Sequence, residues 1–159
     1  MAQFRADGLG NLAQRIEKLK LNNEKIEEIL KAGSQPINEQ LKANIQALPE
    51  RPQNEYGTES NKATGILRVQ KIDLLHDVGV KPMQHRNGYF DVKIGYYNGY
   101  LRPQTKRWPE GTPTQMLARS LEKGTSWLNK RPVVKPAYNQ AKDKVVPAMQ
   151  KKFEEVTKE

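Results

Sequence analysis

An α+β domain is the fold class the sequence predicts: N-terminal helices and a C-terminal helix packed on a small antiparallel sheet, with two long loops. Three observations carry this. Apolar residues recur at three- and four-residue steps near the start (Leu9, Leu12, Ile16, Leu19, then Ile26 to Leu48). A hairpin signal, Asn87-Gly88, precedes the alternating set Phe90, Val92 and Ile94. Helical spacing returns in Tyr138, Ala141, Val145, Met149, Phe153 and Val156. The 159 residues suit one domain, which we divide as helices over 1-48, a loop over 49-65, strands and a hairpin over 66-95, a loop over 96-115 and a C-terminal helical segment over 116-159.

The first short helix lies on the face formed by Leu9, Leu12, Ile16 and Leu19, with Gly8 suiting the chain's entry. The second stripe is Ile26, Ile29, Leu30, Ile37, Leu41, Ile45 and Leu48. Gly33 and Pro36 interrupt it, but the stripe keeps its phase, so a kinked continuation is expected and not a restart at Ser34. Pro49, Pro52, Asn54, Gly57, Ser60, Asn61 and Gly65 mark the first loop, either mobile or folded against a partner. Leu67, Val69 and Ile72 read as a short extended piece, and Val78 and Val80 as the start of a strand. Residues 96 to 113, rich in Gly, Pro, Tyr and Arg, read as the second loop. A short helix on Met116, Leu117 and Leu121 should stop near Gly124, with a Pro-bounded extended link over 129–137 after it. Pro147 should bend the last helix. No internal repeat is present.

Composition narrows the chemistry. Apolar residues make up 36% and mean hydropathy is −0.85, so the core is thin and partner surfaces are expected to contribute burial. Cysteine is absent, which removes disulfides, thiol nucleophiles and cysteine-ligated metals. No apolar run approaches the roughly 18 residues of a membrane span, and Met1-Ala2-Gln3-Phe4-Arg5 lacks a secretory signal's apolar stretch, so a soluble chain made in the cytoplasm and not exported by that route is expected. The formal charge of +9 is uneven: residues 1–100 hold 14 Lys/Arg against 12 Asp/Glu, residues 101–159 hold 13 against 6. That one-sided excess points to polyanions or an acidic protein face, and it is also compatible with an ordinary soluble surface, since the second half has no run of five or six like charges. The Tyr and Trp residues fall in no base-stacking motif, which disfavours sequence-specific nucleic-acid binding.

No catalytic constellation emerges. His76 and His85 are the two histidines, and with Asp73 and Asp77 they form the one conceivable carboxylate–His cluster. A metal site needs three or four ligands, so satisfied or solvated histidines are the favoured reading. Ser34, Ser60, Ser120 and Ser126 sit in no nucleophile-elbow context, Gly8 and Gly10 have no strand before them, and Glu27-Glu28 and Glu154-Glu155 read as solvated helical pairs. No catalytic, cofactor-binding or metal-ligating residue is assigned, no cofactor is expected, and the chain reads as a non-enzyme.

The C-terminal third is more specific. Ala118-Arg119-Ser120-Leu121-Glu122-Lys123-Gly124-Thr125-Ser126 is succeeded by Arg131-Pro132-Val133-Val134-Lys135-Pro136-Ala137 and an amphipathic helix. With Thr64-Gly65-Ile66-Leu67 and the opening Gly8-Leu9, this resembles the head–tail joining (neck, or tail-completion) family of long-tailed double-stranded DNA phages, within the minor tail protein Z superfamily. The chain departs from that pattern at residues 51–63 and 97–115, which look inserted, and at Thr114-Gln115-Met116-Leu117-Ala118, which reads as helix where the family has an aromatic-rich strand. Each motif has a physical sense of its own: Gly124 takes the positive φ that ends a helix, Thr125 or Ser126 caps the segment after it, and Pro132 and Pro136 fix an extended bridge.

The resemblance implies a virion structural protein at the phage neck, made in the host cytoplasm. It implies a homo-hexameric ring joining or completing the tail where it meets the head/portal complex. The implied partners are head-completion or connector proteins, tail terminator or tail tube proteins, and double-stranded DNA passing through the ring. A tail terminator is the alternative within that class, ranked lower because those proteins lack the Arg-Pro-x-x-x-Pro-Ala block. A basic nucleic-acid-binding module is the alternative outside it, and steep salt dependence would mark it.

Overall fold

The computed structural model describes residues 22–158, so the leading stripe Leu9–Leu19 lies outside the described residues. Helix α1 spans Asn23–Gln46. Asn22 starts it, its side chain accepting the Lys25 N–H at 3.0 Å and filling one of the donors a helix start leaves open. The helix continues through Pro36, as the unbroken stripe predicts, and Ile26, Ile29, Ile37, Leu41 and Ile45 are buried along it.

Helix α2 (Arg68–Asp77) replaces the extended piece expected around Leu67, Val69 and Ile72. The β-branched residues that suggested a strand are not the ones that pack: Ile72 is exposed, while Leu67, Leu74 and Val78 are buried at wider, helix-compatible steps. Gln70 helps set the start by accepting the Leu67 N–H at 3.1 Å.

Six short strands come next, in three antiparallel ribbons. Strand β1 (Val78–Val80) pairs with β4 (Ile94–Tyr96), β2 (Gln84–Arg86) with β3 (Tyr89–Asp91), and β5 (Tyr100–Leu101) with β6 (Thr112–Pro113). The β2–β3 turn is Asn87-Gly88, with φ of 50° and 80°, the conformation its residue types favour. The alternating run from Phe90 to Ile94 is divided between β3 and β4, and the second expected loop contains β5 and β6.

Helix α3 (Thr114–Lys123) ends where Gly124 turns with φ 74° and donates its N–H to Ser120 O at 2.8 Å. The extended link is shorter than expected, because helix α4 begins at Val134 and runs to Thr157. Pro136 therefore sits in the first turn of α4, where a missing N–H breaks no helical bond, and Pro147 lies inside the helix.

Among the described residues the core has two parts. Leu41, Ile45, Leu74, Leu101, Leu121 and Leu128 belong to the larger one, which joins α1, α2, the ribbons and α3. The smaller one is a seam between antiparallel α1 and α4: Ile29 packs with Met149, Phe153 and Val156. Polar bonds close both ends of that seam. Lys25 Nζ donates to Val156 O at 2.9 Å and Lys152 meets Glu28 at 3.1 Å at one end, and Asn44 Nδ2 donates to Val133 O at 3.1 Å at the other.

The first long loop is tied to its own chain. A Cβ at Gly65 would collide with the Pro49 carbonyl, and this close approach lets Glu50 and Ile66 bridge. Further along, Ala63 N–H donates to Trp127 O and Asn129 N–H to Ala63 O, both at 2.9 Å. Among the described residues, no helix is long and apolar enough to cross a membrane.

Candidate functional site

The block from Ala118 to Ala137 folds as a corner joining α3 to α4. Past Gly124, Thr125 accepts the Leu128 N–H on its hydroxyl at 3.0 Å and donates its own N–H to Leu128 O at 2.9 Å, closing a tight turn with Leu128 fully buried beneath it. The chain then returns alongside α3, with Arg131 N–H donating to Leu121 O at 2.8 Å. Glu122 closes the corner. Its Oε1 accepts the N–H groups of both Val133 and Val134 at 2.7 Å. A carboxylate from α3 thus caps the start of α4, where backbone donors have no helical partner and the helix dipole favours negative charge.

This fold turns the block's cations outward. Arg119, Lys123, Lys130, Arg131 and Lys135 are all exposed, and none forms an ion pair among the described residues. Glu122 is the only acidic residue between positions 119 and 135, and its carboxylate is committed to α4. Lys123 and Lys130 are brought together because Gly124 lies against Lys130, whose backbone N would be 3.2 Å from a Cβ at that position. Lys130 and Arg131 also line an open cavity of about 380 Å³ with Asn44, Pro49 and Pro132. Such a surface can hold a polyanion through phosphate or carboxylate contacts.

The residues weighed for chemistry are dispersed, and most of them are engaged by neighbours, while His76, Ser126 and Glu154 are exposed. Asp73 grips Arg102 as a fork, with Arg102 Nη2 donating to Oδ1 at 2.7 Å and the Arg102 backbone N–H to Oδ2 at 2.7 Å, which holds the Arg102 pKa above its ordinary value. Asp77 accepts the N–H groups of Asn98 and Gly99 at 3.2 and 2.9 Å and the Thr114 hydroxyl. His85 stacks on Phe90, ring centroids 4.3 Å apart, and His76 lies on the exposed side of α2. Ser34 and Ser120 donate to the carbonyls of Lys31 and Met116, and Ser60 pairs with Thr58. Glu27 pairs with Lys31 and accepts the Met83 N–H, and Glu28 and Glu155 both meet Lys152. Among the described residues, no group of three His, Asp or Glu could hold a metal ion.

No family model, curated protein or solved structure matches the chain.

Two arrangements have no counterpart in the sequence motifs. The Asp77–Asn98–Gly99–Thr114 knot joins α2, the β4–β5 turn and α3, and Thr114 is fully buried in it. The Tyr96 hydroxyl is also buried, with no hydrogen-bond partner among the described residues. Burial, then the nearby carboxylates of Glu122 and Asp77, raises its pKa well above the ordinary tyrosine value. Asn98-Gly99 is a turn signal in the sequence, but nothing local announces that a carboxylate some twenty residues earlier binds it.

Proposed function

We propose that this protein is a non-enzymatic virion structural protein that forms a ring of six copies at the neck of a long-tailed phage, joining or completing the tail where it meets the head. The observation that carries the reading is the block Ala118–Ser126 with Arg131–Ala137. It resembles the head–tail joining family in sequence, and here it builds a rigid corner that faces its cations outward.

Two exposed apolar groups support assembly. Tyr56 and Trp127, at 77% and 41% exposure, flank one corner, where the Gly57 backbone lies against the Trp127 carbonyl. Tyr97, Tyr100 and Met116 flank a second place, where Gln115 Nε2 donates to Asn98 Oδ1 at 3.0 Å. A closed ring is built from heterologous contacts, so each copy needs two different complementary patches. The corner's unpaired cations suit double-stranded DNA threading such a ring.

The test uses two charge variants, Trp127→Glu and Met116→Glu. Each alone should remain monomeric. Mixed, they should give a dimer, because each retains the patch that the other has lost. Mixing without association, or rings formed by either variant alone, contradicts the reading.

A further inference from the structure

A second cavity shares no lining residue with the one at the α3–α4 corner. Leu67, Val69, Ile72 and Pro103 line this open space of about 510 Å³ between the start of α2 and the β5–β6 loop. Ile72 is 39% exposed, an apolar side chain on the outer face of a helix. Three arginines share the cavity's walls: Arg51, Arg68 and Arg102.

The arginines are differently held. Arg102 is fixed by the Asp73 fork, with its guanidinium still largely in solvent at 62% side-chain exposure. Arg51 donates to the carbonyls of Pro52 and Glu55 and sits 5.6 Å from the centre of the exposed Tyr56 ring. Arg68 makes no ion pair among the described residues. The site is thus an apolar floor edged by two guanidinium groups held in place, those of Arg51 and Arg102, and by the exposed Arg68. Among the described residues no acidic side chain lines it, and the neighbouring Asp73 is already spent on Arg102.

We infer that this cavity is a docking site for a segment of another protein that presents an apolar side chain flanked by Asp or Glu. Charge complementarity selects the flanks, since Arg forks bind carboxylates with defined geometry and weak hydration. The floor selects the anchor, because burying an aliphatic or aromatic side chain between Ile72, Val69 and Pro103 removes apolar surface from water on both partners. A nucleic acid is the poorer occupant. Its phosphates gain nothing from the apolar floor, and a larger group of unpaired cations, Arg119, Lys123, Lys130, Arg131 and Lys135, sits at the α3–α4 corner. The inference deepens the proposed role by giving the chemistry of a joining partner, but it is read on the isolated chain whether or not a ring forms.

The experiment probes the full chain against an immobilised array of random peptides of about eight residues, with binders re-measured in solution by fluorescence anisotropy. The expected binders carry one large apolar residue with Asp or Glu within two positions. Arg68→Glu and Ile72→Ser should each weaken them by roughly tenfold or more, the loss expected of a central contact. Lys144→Glu, an equal change in net charge at an exposed position of α4 that lines neither cavity, should leave them within about twofold. Both altered positions in the cavity are exposed, and unchanged thermal melts will confirm that the variants fold. An array with no binders, binders without acidic enrichment, or equal losses from Lys144→Glu and Arg68→Glu would each overturn the inference. So would concentration-dependent self-association abolished by Ile72→Ser, which would make a second copy the occupant.

Discussion

Replacing Glu122 tests whether the α3–α4 corner is what holds the C-terminal half in place. In Glu122→Ala, the N–H groups of Val133 and Val134 lose a shared charged acceptor at 2.7 Å. Val133 is 1% exposed, so water has little access to its orphaned donor. Leaving a buried donor unsatisfied costs about 1–3 kcal/mol, and losing a hydrogen bond to a charged group is of similar size. Val134 is only half-buried and recovers part of its loss from water. The total is about 3 kcal/mol, which corresponds to a fall in Tm of about 6–12 °C for a chain of this size. Glu122→Gln keeps a carbonyl acceptor and loses only the charge, so about 1 kcal/mol is expected. Urea unfolding monitored by Trp127 and Trp108 fluorescence would measure both. An Ala variant within about 0.5 kcal/mol of the parent would refute the capping argument, because surface substitutions free of structural duties fall in that range.

Three other contacts give predictions of their own. Tyr96→Phe removes an unpartnered buried hydroxyl, so it should leave stability at neutral pH unchanged or raised. Because the folded pKa of Tyr96 lies above its unfolded value, its contribution is complete below about pH 10 and declines as pH rises from there toward the folded value; the variant should therefore resist alkaline unfolding, read by absorbance at 295 nm, and unchanged alkaline behaviour would count against it. Glu27 has the opposite sign: the hydrogen bond from Lys31, then the one from the Met83 amide, lowers its pKa, so its contribution is present above the unfolded value of 4.5 and lost as pH falls through the folded one. Glu27→Gln should narrow the difference in urea midpoint between pH 7 and about pH 3, and an unaltered difference would argue against the pairing. Gly33→Val should destabilise by roughly 2 kcal/mol, since a Cβ there would collide with Met149 Cγ in the α1–α4 seam, and Met149→Ala in the same chain should recover much of the loss in a double-mutant cycle.

The parts of this fold that are legible in the sequence are those governed by local period and turn chemistry. The stripe from Ile26 to Leu48 yields α1 through Pro36, Asn87-Gly88 the β2–β3 turn, and Gly124 the end of α3. Local patterns fail where two residues at long separation decide the outcome. Val69 and Ile72 carry strand propensity, but burial of Leu67, Leu74 and Val78 on one face overrides it and makes α2 helical. The first loop looks free because its own residues are polar, whereas Ala63 is held by Trp127 and Asn129 across some sixty positions. Glu122 reads as part of a motif, and its physical duty, capping a helix eleven residues on, emerges only when α3 and α4 are seen to meet. The Arg51–Arg68–Arg102 cavity is hidden for the same reason: its walls come from three separate segments.

Native mass tests the central claim most directly. Size exclusion coupled to light scattering, at two protein and two salt concentrations, should give a species near 109 kDa for six copies of an 18.2 kDa chain, with the hexamer favoured at the higher protein concentration. An 18.2 kDa monomer under all four conditions would contradict a self-assembling ring.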